Sequence, residues 1–225
     1  NVSLQELDLD YNRIQDDGFH YLATLIQSNP RIRYISLWGN AVGGLKAREI
    51  ANALKSNTYL KVFKMQLAPH VSKNKEDNEI SEIGELAECL KSKQNLDELW
   101  IRGNVGVDGA THIVSLLENN PYLRSIALID AGIGDDGAVL FAQYLSKNRP
   151  LTSLMLEKNN ISMKGATAIA DSLKLNPDLT FIDLTDNKIS YDAVNSFNAA
   201  LKTNNKLLHL KLDQEYSDQL DFAFN

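Results

Sequence analysis

Cysteine occurs once in the 225 residues, at Cys89, and the scarcity is informative. One cysteine cannot make an internal disulfide framework or a cysteine-rich zinc site, and it is compatible with a reducing compartment. Long apolar runs are missing too. Stretches such as Ala138–Ala142 reach five or six residues, far short of a bilayer span, so no membrane insertion is expected. Basic charge is in deficit, with 23 Lys+Arg against 29 Asp+Glu and a formal charge of -6. That balance argues against nucleic acid or an anionic membrane as partner, since both need a basic footprint. The first residues, Asn1-Val2-Ser3-Leu4, carry no signal-peptide pattern and no initiator methionine, so further chain is expected upstream.

Chemistry-bearing motifs are equally sparse. Gly43-Gly44-Leu45-Lys46 lacks the spacing of a phosphate-binding loop, and no G-x-G-x-x-G occurs. His20, His70, His112 and His209 fall in different segments with no metal-ligand spacing. Cys89 lies among Leu86, Ala87 and Leu90 at a helical core position, which suits a buried small hydrophobe better than a nucleophile. The expectation is a non-enzyme with no catalytic residues, no cofactor, no metal and no small-molecule substrate.

What the chain does have is a repeat. The pattern L-x-x-L-x-L-x-x-N begins at Leu4, Ile32, Leu60, Leu96, Leu123, Leu151, Leu179 and Leu207, at intervals of 28, 28, 36, 27, 28, 28 and 28 residues. Within each unit the fourth and sixth positions are apolar and alternate with variable residues, the period of a strand with one buried face. The second half of the unit changes to three-and-four spacing, as in Leu22, Leu25, Ile26 and Ile113, Leu116, Leu117, so a helix answers each strand. Pro30, Pro121, Pro150 and Pro177 stand just before strand motifs, where proline stops the preceding helix. The ninth position is Asn12, Asn40, Asn104, Asn159 and Asn187, a side chain able to both donate and accept at the turn out of the strand. Ala68, Ala131 and Glu215 depart from it, and the turns at the alanines are expected to be looser. Glycine recurs at Gly18, Gly109, Gly137 and Gly165, where each helix begins.

The 28-residue units, the N-x-[IV] after most strands and the N-P before several of them resemble the ribonuclease-inhibitor-like class of leucine-rich repeats. The resemblance implies an α/β solenoid, a horseshoe of about eight repeats with a concave parallel β-sheet and convex α-helices, as a single domain over 1–225. It spreads over many functions: enzyme inhibitors, immune sensors, GTPase-activating proteins, actin-filament caps and effectors of intracellular bacteria. Fold alone does not choose among them.

The 36-residue interval carries a surplus, Pro69 to Glu79, with almost no apolar content. It reads as an inserted loop (69–79), either merely solvated or a contact loop beside the concave face. After Leu212 the pattern gives way to Tyr216, Leu220, Phe222 and Phe224, read as a C-terminal cap over 213–225.

Strand alternation sends the third, fifth and seventh positions of each unit to the concave face. Both tryptophans, Trp38 and Trp100, belong to this set. The expected partner-binding residues are Asp8, Asp10, Tyr34, Trp38, Lys64, Gln66, Trp100, Arg102, Ile129, Met155, Glu157, Phe181 and Asp183. Clustered aromatics are what binding hot spots use. Acids at both ends, Glu6, Asp8, Asp10 and Asp183, Asp186, Asp213, point to a protein partner with basic patches. The expected function is a protein–protein interaction module that grips a globular partner through its concave face, with regulation or inhibition of an enzyme as one form of it. The alternative is a GTPase-activating protein of the leucine-rich-repeat type, for which Arg102 is the only arginine in the concave set. Location is expected to be cytoplasmic, or the cytoplasm of a host cell if the abundant Asn and Lys reflect a secreted bacterial effector.

Replacing Pro69 to Glu79 by a three-residue turn should leave the thermal midpoint almost unchanged, because few apolar contacts go with it. Calorimetry of the shortened chain checks this; a midpoint lowered by more than about 5 °C would mean that the segment is structural.

Overall fold

The fourth and sixth positions of the repeat form strands because their alternate side chains share one side. Ile35 and Leu37, Phe63 and Met65, Leu99 and Ile101 are all fully buried. The computed structural model of the chain describes residues 3–69, 82–147, 149–217 and 220. Each strand is followed by a helix: β1 (Glu6–Asp8), α1 (Asp16–Ser28), β2 (Tyr34–Val42), α2 (Gly44–Leu54), β3 (Val62–Leu67), α3 (Glu82–Lys91), β4 (Glu98–Arg102) and α4 (Gly106–Asn119). The second half continues with β5 (Ser125–Ile129), α5 (Gly134–Leu145), β6 (Ser153–Met155), α6 (Met163–Leu173), β7 (Phe181–Asp183), α7 (Tyr191–Leu201), β8 (His209–Lys211) and α8 (Gln214–Ser217).

The strands pair in chain order, all parallel, in one eight-stranded sheet. Equal motif positions stand side by side: Ile35 beside Phe63, Phe63 beside Leu99, Leu99 beside Ile126. One continuous core runs between the sheet and the layer of helices, with α1 to α7 each packing on the next. This is a solenoid, in which a unit buries its apolar face only against its neighbours.

Side-chain amides join the repeats at two levels. At the ninth position, Asn159 Oδ1 accepts from the backbone N–H of Ala131 (3.1 Å) and Ile133 (3.4 Å) in the preceding repeat, while its Nδ2 donates to the carbonyls of Leu128 (2.6 Å) and Glu157 (3.1 Å). Asn40 and Asn187 do the same for the repeats before them. At the other end of the strands a second row stands three residues before each motif. There Asn57, Asn120, Asn176 and Asn204 are buried, and their amides donate backward across the repeat boundary. Their carbonyl oxygens accept from the residues leading into their own strand.

Lys93 occupies this second row in the fourth repeat. It is 3% exposed, and its ammonium donates to the carbonyls of Leu54 (2.7 Å), Lys55 (3.1 Å) and Asn57 (2.7 Å) at the end of α2. Burial lowers its pKa from the ordinary lysine value, opposed by the nearby Cys89.

The turn out of the strand follows a rule of its own. Its eighth position has a left-handed backbone at Tyr11, Gly39, Gly103, Asp130, Lys158 and Asp186, with φ from 51° to 102°. The third repeat breaks the rule, since Leu67 is still in β3 and pairs with Val42. The alanine turns are not loose. Ala68 N donates to Val42 O (2.9 Å), Ala131 N to Asn159 Oδ1, and Ala131 O accepts from Val105 and Gly106 (2.9 Å each). Neighbouring backbone and the next repeat's asparagine supply what the missing side chain would have. Glycine recurs at the helix starts for a steric reason: a Cβ on Gly137 would lie 2.6 Å from Ile133 Cβ, and one on Gly109 2.5 Å from Val105 Cγ1.

Of the inserted loop only Pro69 belongs to the described residues, and His70 to Glu79 lie outside them. In the expected cap, Tyr216 packs against the core and Leu220 is buried, whereas Phe222 and Phe224 lie outside the described residues.

Replacing Lys93 by Met takes the ammonium donor from the carbonyls of Lys55 and Asn57 and leaves Leu54 O with Asn57 N alone (2.9 Å), which should cost about 2 kcal/mol in urea unfolding. Lys93→Asn, which restores the amide of the other repeats, should recover most of it. The folded state binds fewer protons than the unfolded one between the lowered folded pKa and the ordinary lysine value, so stability rises with pH through that window. The wild type should therefore gain on Lys93→Asn as the pH rises toward the ordinary lysine value. Equal stability of the Met and Asn variants would remove the carbonyl-capping role.

Candidate protein-binding face

Helices cover one side of the sheet and leave the third, fifth and seventh positions on the other. Pairing brings these positions into rows: Ser36, Lys64, Trp100, Ala127 across the middle and Gln66, Arg102, Ile129 beside it. Lys64 is the centre of the N-terminal half. Its ammonium lies 4.6 Å from the centroid of the Trp100 ring and 5.6 Å from that of Tyr34, bridging two strands that do not touch each other. Trp100 Nε1 donates to Glu98 Oε2 (3.2 Å), which fixes the ring's tilt. Tyr34, Trp38, Lys64, Gln66, Trp100 and Arg102 are all half-buried on this face, so the structure brings six of the expected residues together on three neighbouring strands.

A smaller cluster of the same kind sits near the other end. Lys211 stands 5.2 Å over the Phe181 ring, and His209 lies 6.0 Å from it. Between the two clusters the surface is low, built from Ser125, Ala127, Ser153 and Met155, with Ala127 fully buried. Ile129, Met155 and Glu157 are half-buried there.

The acids are less available than strand alternation suggests. Asp10 accepts from Ser36 Oγ (2.5 Å) and Trp38 N (2.9 Å), closing the turn of the first repeat onto the second. Asp183 is 9% exposed and accepts from Thr185 N (3.1 Å) and Thr185 Oγ1 (2.7 Å), with Lys211 Nζ 3.4 Å from its other oxygen. Both are consumed internally, a correction to their expected display. Asp213 likewise accepts from Asp186 N (2.6 Å). Asp8 is exposed. Arg102 lies 3.9 Å from Asp130, whose carboxylate also holds Lys158 at 3.0 Å.

One contributor went unnoticed in the sequence. Tyr11 is 74% exposed, and its ring lies where a Cβ on Gly39 would stand, 2.5 Å from its Cδ1. It extends the aromatic patch beside Trp38. The signal was available, since Tyr11 and Gly39 hold the same position in successive repeats and glycine there leaves room for a ring.

Among the described residues no group of three or more His, Cys, Asp or Glu could hold a metal ion. Cys89 is buried, its Sγ donates to Ala51 O (3.0 Å), and burial raises its pKa. No described helix is long and apolar enough to cross a membrane.

A family model described as "Leucine Rich repeat" matches residues 1–23, 119–142 and 147–170. No curated protein matches the sequence significantly. Among solved structures, leiomodin-1 actin-binding site 2 is 22% identical, with 60% of this chain and 84% of that chain covered, at a TM-score of 0.49. The tropomodulin C-terminal domain of Caenorhabditis elegans is 10% identical, covering 91% of this chain and 86% of that one, at a TM-score of 0.43.

Proposed function

We propose that the chain is a protein-binding module that holds one globular partner against the open face of its sheet, centred on Trp38, Lys64 and Trp100. The observation that supports this most is the placement of Lys64 between the Tyr34 and Trp100 rings. Two large rings and a long cation are already fixed against one another before any partner arrives, so little side-chain entropy remains to be lost on binding. Aromatic anchors of this kind carry a large share of interface energy. The 28-residue unit of one strand and one helix resembles the ribonuclease-inhibitor-like class of the repeat.

The partner is proposed to carry basic patches. The 24 positions expected to project from the sheet hold seven carboxylates against three Lys or Arg, and Glu6 and Asp8 remain exposed at the first strand. Such charge steers association more than it holds the complex together, so raising salt should slow association more than it speeds dissociation. The GTPase-activating reading asks for an exposed arginine or asparagine presented to a nucleotide, and the one arginine of the outward set, Arg102, lies 3.9 Å from Asp130.

The test is affinity capture of partners on the wild type, followed by titration of the retained protein against Trp38→Ala and Trp100→Ala. Each truncation should weaken binding by about 2 kcal/mol or more, roughly 30-fold, with little loss of stability because neither side chain belongs to the core. Leu99→Ala is the contrasting control and should destabilise the fold by about 2 to 5 kcal/mol. Unchanged affinity in both folded tryptophan variants would move the functional surface elsewhere.

A further inference from the structure

The edge of the sheet where the strands begin is chemically unlike the rest of this acidic protein. Backbone hydrogen bonds tie the second motif position of each repeat to that of the next. Arg33 O accepts from Lys61 N (2.7 Å), Lys61 O from Asp97 N (2.8 Å) and Asp97 O from Arg124 N (2.9 Å). Three cations therefore stand in a row of four strands, about 4.8 Å apart from strand to strand. Arg31 and Arg33, Lys61 and Arg124 are all exposed. Two tyrosines are interleaved with them, Tyr59 (43% exposed) and Tyr122 (49%), each held at its backbone N–H by the buried asparagine two residues earlier.

Nine cations elsewhere on the described surface sit in ion pairs, whereas Arg13, Lys55, Arg149, Lys188, Lys202 and Lys206 are not among them. Lys46, Arg48, Lys91, Arg102, Lys147, Lys158, Lys164, Lys174 and Lys211 each lie within 4.0 Å of a carboxylate. Among the described residues Arg31, Arg33, Lys61 and Arg124 form no such pair; Arg124 Nη1 donates instead to the carbonyl of Pro150 (2.7 Å), which holds its guanidinium along the edge. The helix dipole does not explain them, since they precede strands rather than lie in the last turns of helices. Adjacent like charges on paired strands are destabilising on their own.

We propose that this edge, from Arg31 to Arg124, is a second docking surface that takes an acidic segment of a partner polypeptide. Guanidinium groups match carboxylates in geometry, and exposed tyrosines flank them as amphipathic contacts. Asp97 decides between a polypeptide and a nucleic acid. It interrupts the cationic row, and a duplex with one charge per about 1.7 Å would set a phosphate against it. A peptide can place a neutral or basic residue at that point. The surface is separate from the Trp38–Trp100 patch, which lies on the open face.

The experiment titrates the whole chain into a fluorescein-labelled 15-residue peptide of alternating Glu and Ser, and into a labelled DNA duplex of about 20 base pairs. Binding of the acidic peptide should saturate below about 1 mM and weaken at least tenfold in the double variant Arg33→Glu, Lys61→Glu. It should tighten about twofold or more in Asp97→Asn. Trp100→Ala, which disables the open face, should leave it unchanged, so the two surfaces fail independently. The proposal is overturned by no saturable peptide binding, by indifference to the charge reversal, by an equal loss in Trp100→Ala, or by tighter binding of the duplex than of the peptide. Circular dichroism of each variant confirms that folding is intact.

Discussion

A short strand joined to a helix by tight turns leaves backbone N–H and carbonyl groups at both its ends with no partner inside its own repeat. Buried without partners, each would cost on the order of 1–3 kcal/mol, so the solenoid can exist only if the next repeat supplies them. It does so with two rows of side-chain amides. Asn40, Asn159 and Asn187 hold the turns leaving the strands, and Asn57, Asn120, Asn176 and Asn204 hold the turns leading into them. The helices and the leucine core fill the space between these rows.

On the open face, Lys64 and Trp100 stand in register on β3 and β4, and Tyr34 comes within reach of the same ammonium. The same demand for partners consumes polar residues that strand alternation assigns to solvent. Asp10 and Asp183 close turns; in the first turn of α5, Asp135 likewise reaches across to the start of α6, accepting from Ser162 N (2.7 Å), Ser162 Oγ (2.5 Å) and Gly165 N (3.0 Å). Burial pushes the Asp135 carboxyl up, but these donors outweigh it and leave the pKa below the usual aspartate value.

Repeat number and the order of strand and helix were legible in the sequence, because each depends on a periodicity of apolar residues that eight copies reinforce. Contacts between repeats were not, since side chains about 28 residues apart meet through geometry that a one-dimensional pattern does not carry. Lys93 is the sharpest case. Alone in the sequence it is a surface lysine, and only alignment with Asn57 and Asn120 shows that it fills a buried capping position. Ala68 is another: with no side-chain amide there, β2 and β3 lengthen and pair instead of loosening. The aromatic patch was half visible, because both tryptophans fell in the outward set while Tyr11 sits in a turn and packs on Gly39 of the next repeat.

Coupling through the amide rows is tested most directly by urea unfolding of Asn176→Ala, followed at once by circular dichroism and by tryptophan fluorescence. Asn176 joins the sixth and seventh repeats, whereas Trp38 and Trp100 report from the second and fourth. If the rows bind the repeats into one cooperative unit, both signals shift together to lower urea, by about 1–3 kcal/mol relative to the wild type. A fluorescence transition that stays at its wild-type midpoint while the dichroism transition moves would contradict this, and would mean that each repeat is held by its own core alone.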